Sequence, residues 1–243
     1  MQVLEFSPQR GFYQFYLEHL STELHAHPAL EILYTPKGTF SLTTDQGRQD
    51  SLQFAIIQAN VNHAVTAHEV QLHTLLIEHH QSQVLGTLQT LGISLSSGLF
   101  ISQDPNLGPQ LHAILSPQLT SDSLGQDYDS RVQAIIQYLH AHPLGYQDML
   151  PALSARVHLS ASRLSHLFKQ EVGLSLKKYL LWCKLKSAIH QHLHASQDLL
   201  DSLYANGFYD QPHFSRAFKT MMGVQPTFAY NSRTVQGPGS QKA

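Results

Sequence analysis

The chain has 243 residues, which is long enough for two domains that each bury a core. Its net charge of −2 is unevenly distributed, because residues 1–126 hold three Lys/Arg against ten Asp/Glu and residues 127–243 hold twelve against seven. The single cysteine excludes an intramolecular disulfide, and the sequence contains neither a signal-peptide core nor an apolar run that could span a bilayer, so we expect a soluble cytoplasmic protein without a membrane partner.

Four strand-like segments follow one another in the first third of the chain. They cover residues 31–34, 39–43, 52–57 and 72–77, and turn-forming residues around Gly38 and Gly47 separate the first three. Short strands with such turns are typical of a small antiparallel barrel or sandwich, whose open end is a natural ligand site. We predict an antiparallel β-barrel that acts as a sensor domain over residues 1–81.

Two histidines and a glutamate are closely spaced where this barrel begins. They are His25, His27 and Glu31, and Gly38 follows seven positions after the glutamate. Side chains alternate in an extended chain, so His25 and His27 point to the same face. This spacing resembles the first metal motif of the cupin barrel.

A fourth ligand, His63, follows from the same resemblance. The second cupin motif has a Pro and a Gly before its histidine, whereas Gln58 and Asn60 stand at those positions here. The resemblance implies one divalent ion in the barrel, and Zn, Ni, Co, Fe or Mn would each suit imidazole and carboxylate ligands. The same side chains could instead line a pocket for an organic effector. The implied ligands are His25, His27, Glu31 and His63.

Residues 82–126 are less regular and are interrupted by Ser, Gly and Pro. Weak helical patterns cover residues 84–91 and 108–115. We interpret the segment as a connector with packing or dimerisation helices, which makes a homodimer one expected assembly.

From residue 127 onward, the hydrophobic pattern is helical. Apolar residues recur on one face of residues 129–141, and further helices are predicted over residues 146–156, 160–171, 175–194 and 197–205. The tail, residues 233–243, is rich in Gly, Ser and Gln, and we predict that it is disordered.

Two helices in this half have a polar face opposite an apolar one. In the first, Leu164 and Phe168 form the apolar stripe, and Ser160 is a plausible N-cap. In the second, Phe214 and Phe218 form the stripe, after a Gly-Phe turn. Each helix follows a shorter one, so we predict two helix-turn-helix units.

Residues 127–232 resemble the DNA-binding domain of the AraC/XylS family of bacterial transcription regulators. The resemblance rests on the Leu-Phe-Lys end of the first reading helix, the Gly-Phe turn, the Phe-Ser-Arg-Ala-Phe-Lys run and the Gly-Val-Gln-Pro stop. It implies an α+β two-domain protein, in which a cupin-like barrel precedes an all-α domain with two helix-turn-helix units. The partners that it implies are double-stranded DNA and RNA polymerase, and activation is the family tendency.

The resemblance also implies which side chains reach the DNA. An arginine can form a forked pair with guanine and a glutamine with adenine, whereas serine discriminates poorly and proline offers apolar contact alone. The first helix is therefore the weaker reader, and the two lysines are expected at phosphates. The implied DNA-binding residues are Ser162, Arg163, Ser165, His166, Lys169, Gln211, Pro212, Ser215, Arg216 and Lys219.

The function that follows is a sequence-specific transcription regulator, not an enzyme, whose barrel senses a small molecule or a divalent metal. The sequence contains no Gly-x-Ser-x-Gly motif and no phosphate-binding loop. Two alternatives stay open. One is a cupin-type metalloenzyme, because related barrels hold iron for dioxygenase chemistry, and the other is a regulator whose vestigial barrel is only an interaction module.

Overall fold

The computed structural model describes residues 1–120, 128–142, 146–194 and 199–226. The chain divides into two compact units, one formed by Met1–Ser123 with Phe218–Ala243 and the other by Leu124–Ala217. An antiparallel sheet near the N-terminus and helices in the C-terminal half confirm the predicted fold class. None of the helices in the described ranges is long and apolar enough to cross a membrane.

Eight strands form one antiparallel sheet in the first unit. They are β1 (Gln2–Ser7), β2 (Phe12–Ser21), β3 (Leu30–Tyr34), β4 (Phe40–Thr44), β5 (Gly47–Leu52), β6 (Phe54–Ile57), β7 (His63–Ile77) and β8 (Leu99–Ser102). The order is β1-β2-β7-β3-β6-β8, and β4 pairs with β5 and β7. The long β7 pairs with β4 along its first half and with β3 along its second half, so one strand joins both parts of the sheet.

Helices α1 (Gln81–Thr90) and α2 (Leu107–Leu115) pack on one face of this sheet. Because side chains alternate along a strand, Ile32 and Tyr34 of β3 join the apolar cluster with the helices. Glu31 and Leu33 lie on the opposite face and are also buried. The cluster includes Val84 and Leu88 from α1 and Leu111 and Leu115 from α2.

Several strands differ from the sequence prediction. The predicted strand over residues 52–57 is confirmed as β6, which begins two residues later at Phe54, whereas β5, which ends at Leu52, had no predicted counterpart. A left-handed residue, Ser51 (φ 59°), bends the chain just before β5 ends. Strands β1 and β2 and the first half of β7 had no predicted counterpart. The predicted connector contains both expected helices, and it also contains β8, which pairs with β6.

The described part of the C-terminal half forms six helices. They are α3 (Ser130–Ala141), α4 (Tyr146–Arg156), α5 (Ala161–Val172), α6 (Leu176–His194), α7 (Leu199–Ala205) and α8 (Gln211–Met222). The predicted helices agree with these within a few residues. The Asp129 side chain caps α3 by accepting a hydrogen bond from the Arg131 N–H.

The helical core forms where α3, α5 and α6 pack together. Ile135 of α3 and Leu164 of α5 are fully buried, and Phe168 meets Tyr179 of α6 edge to face at a centroid distance of 5.3 Å. Cys183 is buried in α6, as its helical position predicts. The predicted tail, residues 233–243, lies outside the described residues, and the domain boundary at residues 126–127 does as well.

Candidate nucleic-acid interface and metal centre

The first reading helix, α5, has one buried side and one exposed side. Leu164 and Phe168 are fully buried, as their amphipathic spacing predicts. The Ser160 hydroxyl accepts a hydrogen bond from the Arg163 N–H at 3.4 Å, and Gly173 ends the helix with a left-handed φ of 77°. The predicted contact residues lie on the other side, where Ser162, Arg163, His166 and Lys169 are exposed and Ser165 is partly exposed.

The second reading helix, α8, repeats this arrangement. Phe214 and Phe218 are buried on one side. The Asp210 carboxylate accepts a hydrogen bond from the His213 N–H at 2.6 Å, so a side chain caps the first turn. The predicted contact residues are again on the outer side, where Gln211, Pro212 and Arg216 are exposed and Ser215 and Lys219 are partly exposed.

Each reading helix follows a shorter helix and a turn. The turn between α4 and α5 contains His158 with a positive φ of 53°, and the turn between α7 and α8 contains Gly207 with φ 73°. Phe208 follows this glycine, is buried, and meets Phe214 edge to face at a centroid distance of 5.2 Å. Both predicted helix-turn-helix units are present, whereas their base contacts stay a prediction.

Sequence reasoning missed one exposed side chain beside α8. Tyr209 lies between the buried Phe208 and the capping Asp210, and it is 87% exposed. The sequence does contain a signal for this exposure. Two adjacent aromatic residues follow Gly207, and adjacent side chains of an extended segment point to opposite sides, so both cannot face the core. The reading surface of the second unit therefore includes an aromatic ring.

The compact unit that contains the antiparallel sheet brings the predicted metal ligands together. The ligand atoms of His25, His27 and His63 lie within 4.8 Å of one another, and all three side chains are buried. The backbones of His25 and His63 also pair, because each N–H donates to the carbonyl of the other at 3.0 and 2.9 Å. This bridge holds ligands from distant parts of the chain side by side.

The Nδ1 atom of each histidine has a backbone partner. His25 Nδ1 lies 2.9 Å from the carbonyl oxygen of Glu23, and the corresponding atoms of His27 and His63 lie at 3.1 and 2.9 Å from the carbonyls of Ala29 and Val61. A carbonyl oxygen only accepts, so Nδ1 carries the proton and the lone pair of the neutral ring is on Nε2. Backbone carbonyls fix the tautomer of metal-binding histidines in this way.

Glu31 adds a carboxylate to the three histidines. Its Oε2 lies 2.9 Å from Nε2 of His63 and 3.4 Å from Nε2 of His27. Despite these distances, neither Glu31 Oε2 nor His63 Nε2 has a hydrogen bond of acceptable geometry. Buried polar atoms are normally satisfied, and a cation between a carboxylate oxygen and imidazole lone pairs would satisfy both. The three histidines therefore fit a divalent ion bound by nitrogen, and the Glu31 carboxylate lies beside two of them as a candidate oxygen ligand.

Burial and close contacts set the protonation of this cluster. Burial lowers the pKa of His25 to about 3, and the neighbouring His63 and His27 add to the effect. Burial alone would raise the pKa of Glu31, but the imidazoles of His27 and His63 outweigh it and lower that pKa. Burial lowers the pKa of His63, yet the contact with Glu31 outweighs it and the pKa is raised. A neutral His25 and an ionised Glu31 are the forms that bind metals.

A pocket of about 270 Å³ shares a loop with the histidine cluster. The Asn60 N–H in this loop donates to the His27 carbonyl at 2.9 Å, and Val61 supplies the carbonyl that orients His63. Two residues that line the pocket thus also position two of the histidines. The lining residues are Thr44, Asp45, Gln46, Asn60, Val61, Asn62, Ser97 and Leu99.

Comparison with known proteins gives matches in the C-terminal part of the chain. The family described as a helix-turn-helix domain matches residues 153–230. The arabinose operon regulatory protein of Salmonella typhimurium is 34% identical over 110 residues, which cover 44% of this chain and 38% of that protein. The transcriptional activator RhaS of Klebsiella pneumoniae is 29% identical over 98 residues, which cover 40% of this chain and 35% of that protein. The chain thus spans less than two fifths of the length of these relatives.

Solved structures are similar over nearly the whole chain. An apo form of ToxT from Vibrio cholerae has a TM-score of 0.56 at 10% identity, covering 95% of this chain and 100% of that one. Wild-type ToxT bound to an unsaturated fatty acid has a TM-score of 0.53 at 12% identity, covering 92% and 95%. At these identities, the similarity establishes the two-domain fold alone.

Proposed function

We propose that the chain is a sequence-specific DNA-binding regulator of the AraC/XylS family, which the helix-turn-helix match over residues 153–230 and the similarity to the arabinose operon regulatory protein support. The observation that carries this proposal is the polar, exposed side of α5 and α8, each the second helix of its unit. Such helices enter the major groove, and two of them in one chain can read segments about 34 Å apart.

The side chains of the two reading helices have different roles in this proposal. Arg216 and Gln211 read bases, since their forked donors and acceptors match guanine and adenine. Ser162, Ser165 and His166 on α5 discriminate less between bases. This helix therefore contributes more to the positioning of the protein on DNA than to recognition of the base sequence. Lys169 and Lys219 contact phosphates.

The barrel is proposed to sense a divalent metal or a small organic molecule. The tautomers of the three histidines and the neighbouring Glu31 carboxylate support a metal, and Zn, Ni, Co, Fe and Mn all accept such ligands. The fold is shared with a protein whose structure was solved with an unsaturated fatty acid, which supports an organic effector as the second candidate. Occupancy of the barrel would shift a pre-existing equilibrium between states with different DNA affinity.

The regulator would act on transcription through RNA polymerase, with activation as the family tendency and a homodimer as the expected assembly. The alternative of a cupin-type metalloenzyme would use the same cluster of His25, His27, Glu31 and His63. Specific, salt-sensitive binding to duplex DNA favours the regulator, because phosphate neutralisation releases counterions.

The test combines selection of binding sites from random duplexes with elemental analysis of the purified protein. We expect bound metal and a chelator-dependent affinity in the wild type, and neither in a His27→Ala, His63→Ala double variant. The matched control is His19→Ala with His68→Ala, an exposed pair that faces across two strands of the same sheet. A metal-free protein that binds its selected site equally with and without chelator would rule out metal sensing and leave an organic effector or a vestigial barrel that acts only as an interaction module.

A further inference from the structure

The side chain of Tyr209 is unusually exposed for its type. At 87% exposure it is the most exposed large apolar side chain among the described residues, ahead of Tyr204 at 56%. It lies two positions before Gln211, the first residue of α8, and Gln211 and Pro212 are exposed as well. The ring therefore continues the reading surface beyond the N-terminus of the helix.

The Tyr209 ring has an aromatic neighbour on α8. It stacks on the His213 ring, four residues later, with centroids 6.1 Å apart and an angle of 28° between the planes. His213 in turn packs edge to face on the buried Phe208 at 5.3 Å. Ring contacts thus connect the exposed tyrosine to the core of the second helix-turn-helix unit.

We infer that Tyr209 is a specificity-determining residue of the second reading helix, and that its ring contacts the C5-methyl group of a thymine. The inference rests on the proposed DNA-binding function. Residues at the N-terminal end of a recognition helix face the base edges, and the thymine methyl is the apolar group that the major groove presents there.

The neighbouring carboxylate favours a base contact over a phosphate contact. Asp210 is adjacent in sequence and caps the same helix, so its negative charge lies next to Tyr209 in the chain and disfavours a phosphate close to this turn. A contact between the tyrosine ring and a base is apolar, so it does not need a phosphate close to the Asp210 carboxylate. The ring, rather than the hydroxyl, is therefore the part of Tyr209 that recognises DNA.

The experiment uses the full-length protein and the duplex selected by the wild type. Each thymine of the site is replaced in turn by deoxyuridine, which removes only the methyl group. We expect one replacement to weaken wild-type binding about fourfold, the value for one buried methyl-sized group. Tyr209→Ala should weaken binding to the unmodified site and be insensitive to that replacement, whereas Tyr209→Phe should behave as the wild type.

Tyr204→Ala is the matched control, because it removes an exposed tyrosine from the adjacent helix α7. It should keep the full response to deoxyuridine. The inference is overturned if Tyr209→Ala responds to every replacement as the wild type does, or if Tyr209→Phe and Tyr209→Ala weaken specific and random DNA equally. A wild-type protein that selects no sequence would instead refute the proposed function.

Discussion

Burial of uncharged imidazole gives His25 a defined effect on stability. Its folded pKa of about 3 lies below the unfolded value of about 6.5, so the proton binds more tightly to the unfolded chain. Above pH 6.5 the ring is neutral in both states and stability is unaffected. As the pH falls from 6.5 toward 3, only the unfolded state gains the proton, and the free energy of unfolding decreases.

We therefore predict that metal-free protein loses more stability between pH 7.5 and pH 5.5 than its His25→Asn variant. Asparagine retains a donor for the Glu23 carbonyl and does not titrate in this range. His63 has the opposite sign, because its raised pKa adds stability at low pH, but this contribution is common to both proteins. Urea unfolding at the two pH values measures the difference, and identical pH dependence would contradict the assignment.

Arg216 offers a second prediction for a single residue. If its guanidinium forms a forked pair with guanine, Arg216→Ala should cost about 1–3 kcal/mol of binding free energy and relax preference at one base pair. Arg156→Ala is the control, because this exposed arginine lies at the end of α4 and stacks over Tyr138 instead. Equal losses on selected and random duplexes, measured by titration, would make Arg216 a phosphate contact.

The histidine cluster illustrates what a sequence can and cannot predict about a site. The spacing of His25, His27 and Glu31 was sufficient to predict that they converge, and His63 joins them despite its degraded motif. The carbonyl partners of the rings were not predictable. Each partner lies only two residues from its histidine, but whether the ring nitrogen meets that carbonyl depends on the local backbone and side-chain dihedral angles, which residue spacing does not specify.

At the level of elements, replacing each of two glycines in the helices beside the sheet with alanine is expected to change stability in opposite directions. A Cβ at Gly108 in α2 would overlap the Tyr34 side chain, because the helix approaches the sheet closely there. A Cβ at Gly86 in α1 would meet no atom within 4 Å. The same substitution should therefore have opposite signs at the two positions.

We predict that Gly108→Ala destabilises the protein by about 1–3 kcal/mol through overpacking. Gly86→Ala should stabilise it by about 0.5–1 kcal/mol, since alanine loses less backbone entropy inside a helix. Denaturant unfolding monitored by far-UV circular dichroism compares both with the wild type. A stable Gly108→Ala variant would mean that α2 does not pack this closely on β3.

Helices were predicted better than strands, and the reason is physical. A helix is stabilised by neighbours three and four residues away, so the apolar period of α3 or α5 is visible in a short window. A strand depends on a distant partner. The partner of β8 is β6, more than forty residues earlier, and the pairing of β2 with β7 is interrupted by a bulge after Leu17, which breaks the alternation.

For the whole molecule, the distribution of charge agrees with the division of roles. Residues 1–126 are acidic and residues 127–243 are basic, so under the proposed function the second half would be attracted to DNA phosphates and the first half repelled by them. The sequence was sufficient to predict this polarity together with the order of the two folds. The proposed effector depends on the shape of a cavity, which composition does not encode.

In the proposed function, helix α6 between the two helix-turn-helix units would set the spacing of the two DNA half-sites. Helix α6 is a continuous helix of 19 residues, about 28 Å long, between the two helix-turn-helix units. A rigid helix cannot lengthen to follow a displaced half-site. Inserting 5 bp between the half-sites rotates one of them by about half a turn, because B-DNA repeats every 10–10.5 bp.

We predict that this insertion lowers affinity roughly 10- to 100-fold, the loss of one helix's base contacts, and that a 10-bp insertion does not restore it. Duplexes with the same insertion outside the site are the control and should bind as tightly as the original. Gel-shift titration of the series measures the effect. Recovery at 10 bp would require a connection that stretches by about one turn of DNA and would contradict a half-site spacing set by α6.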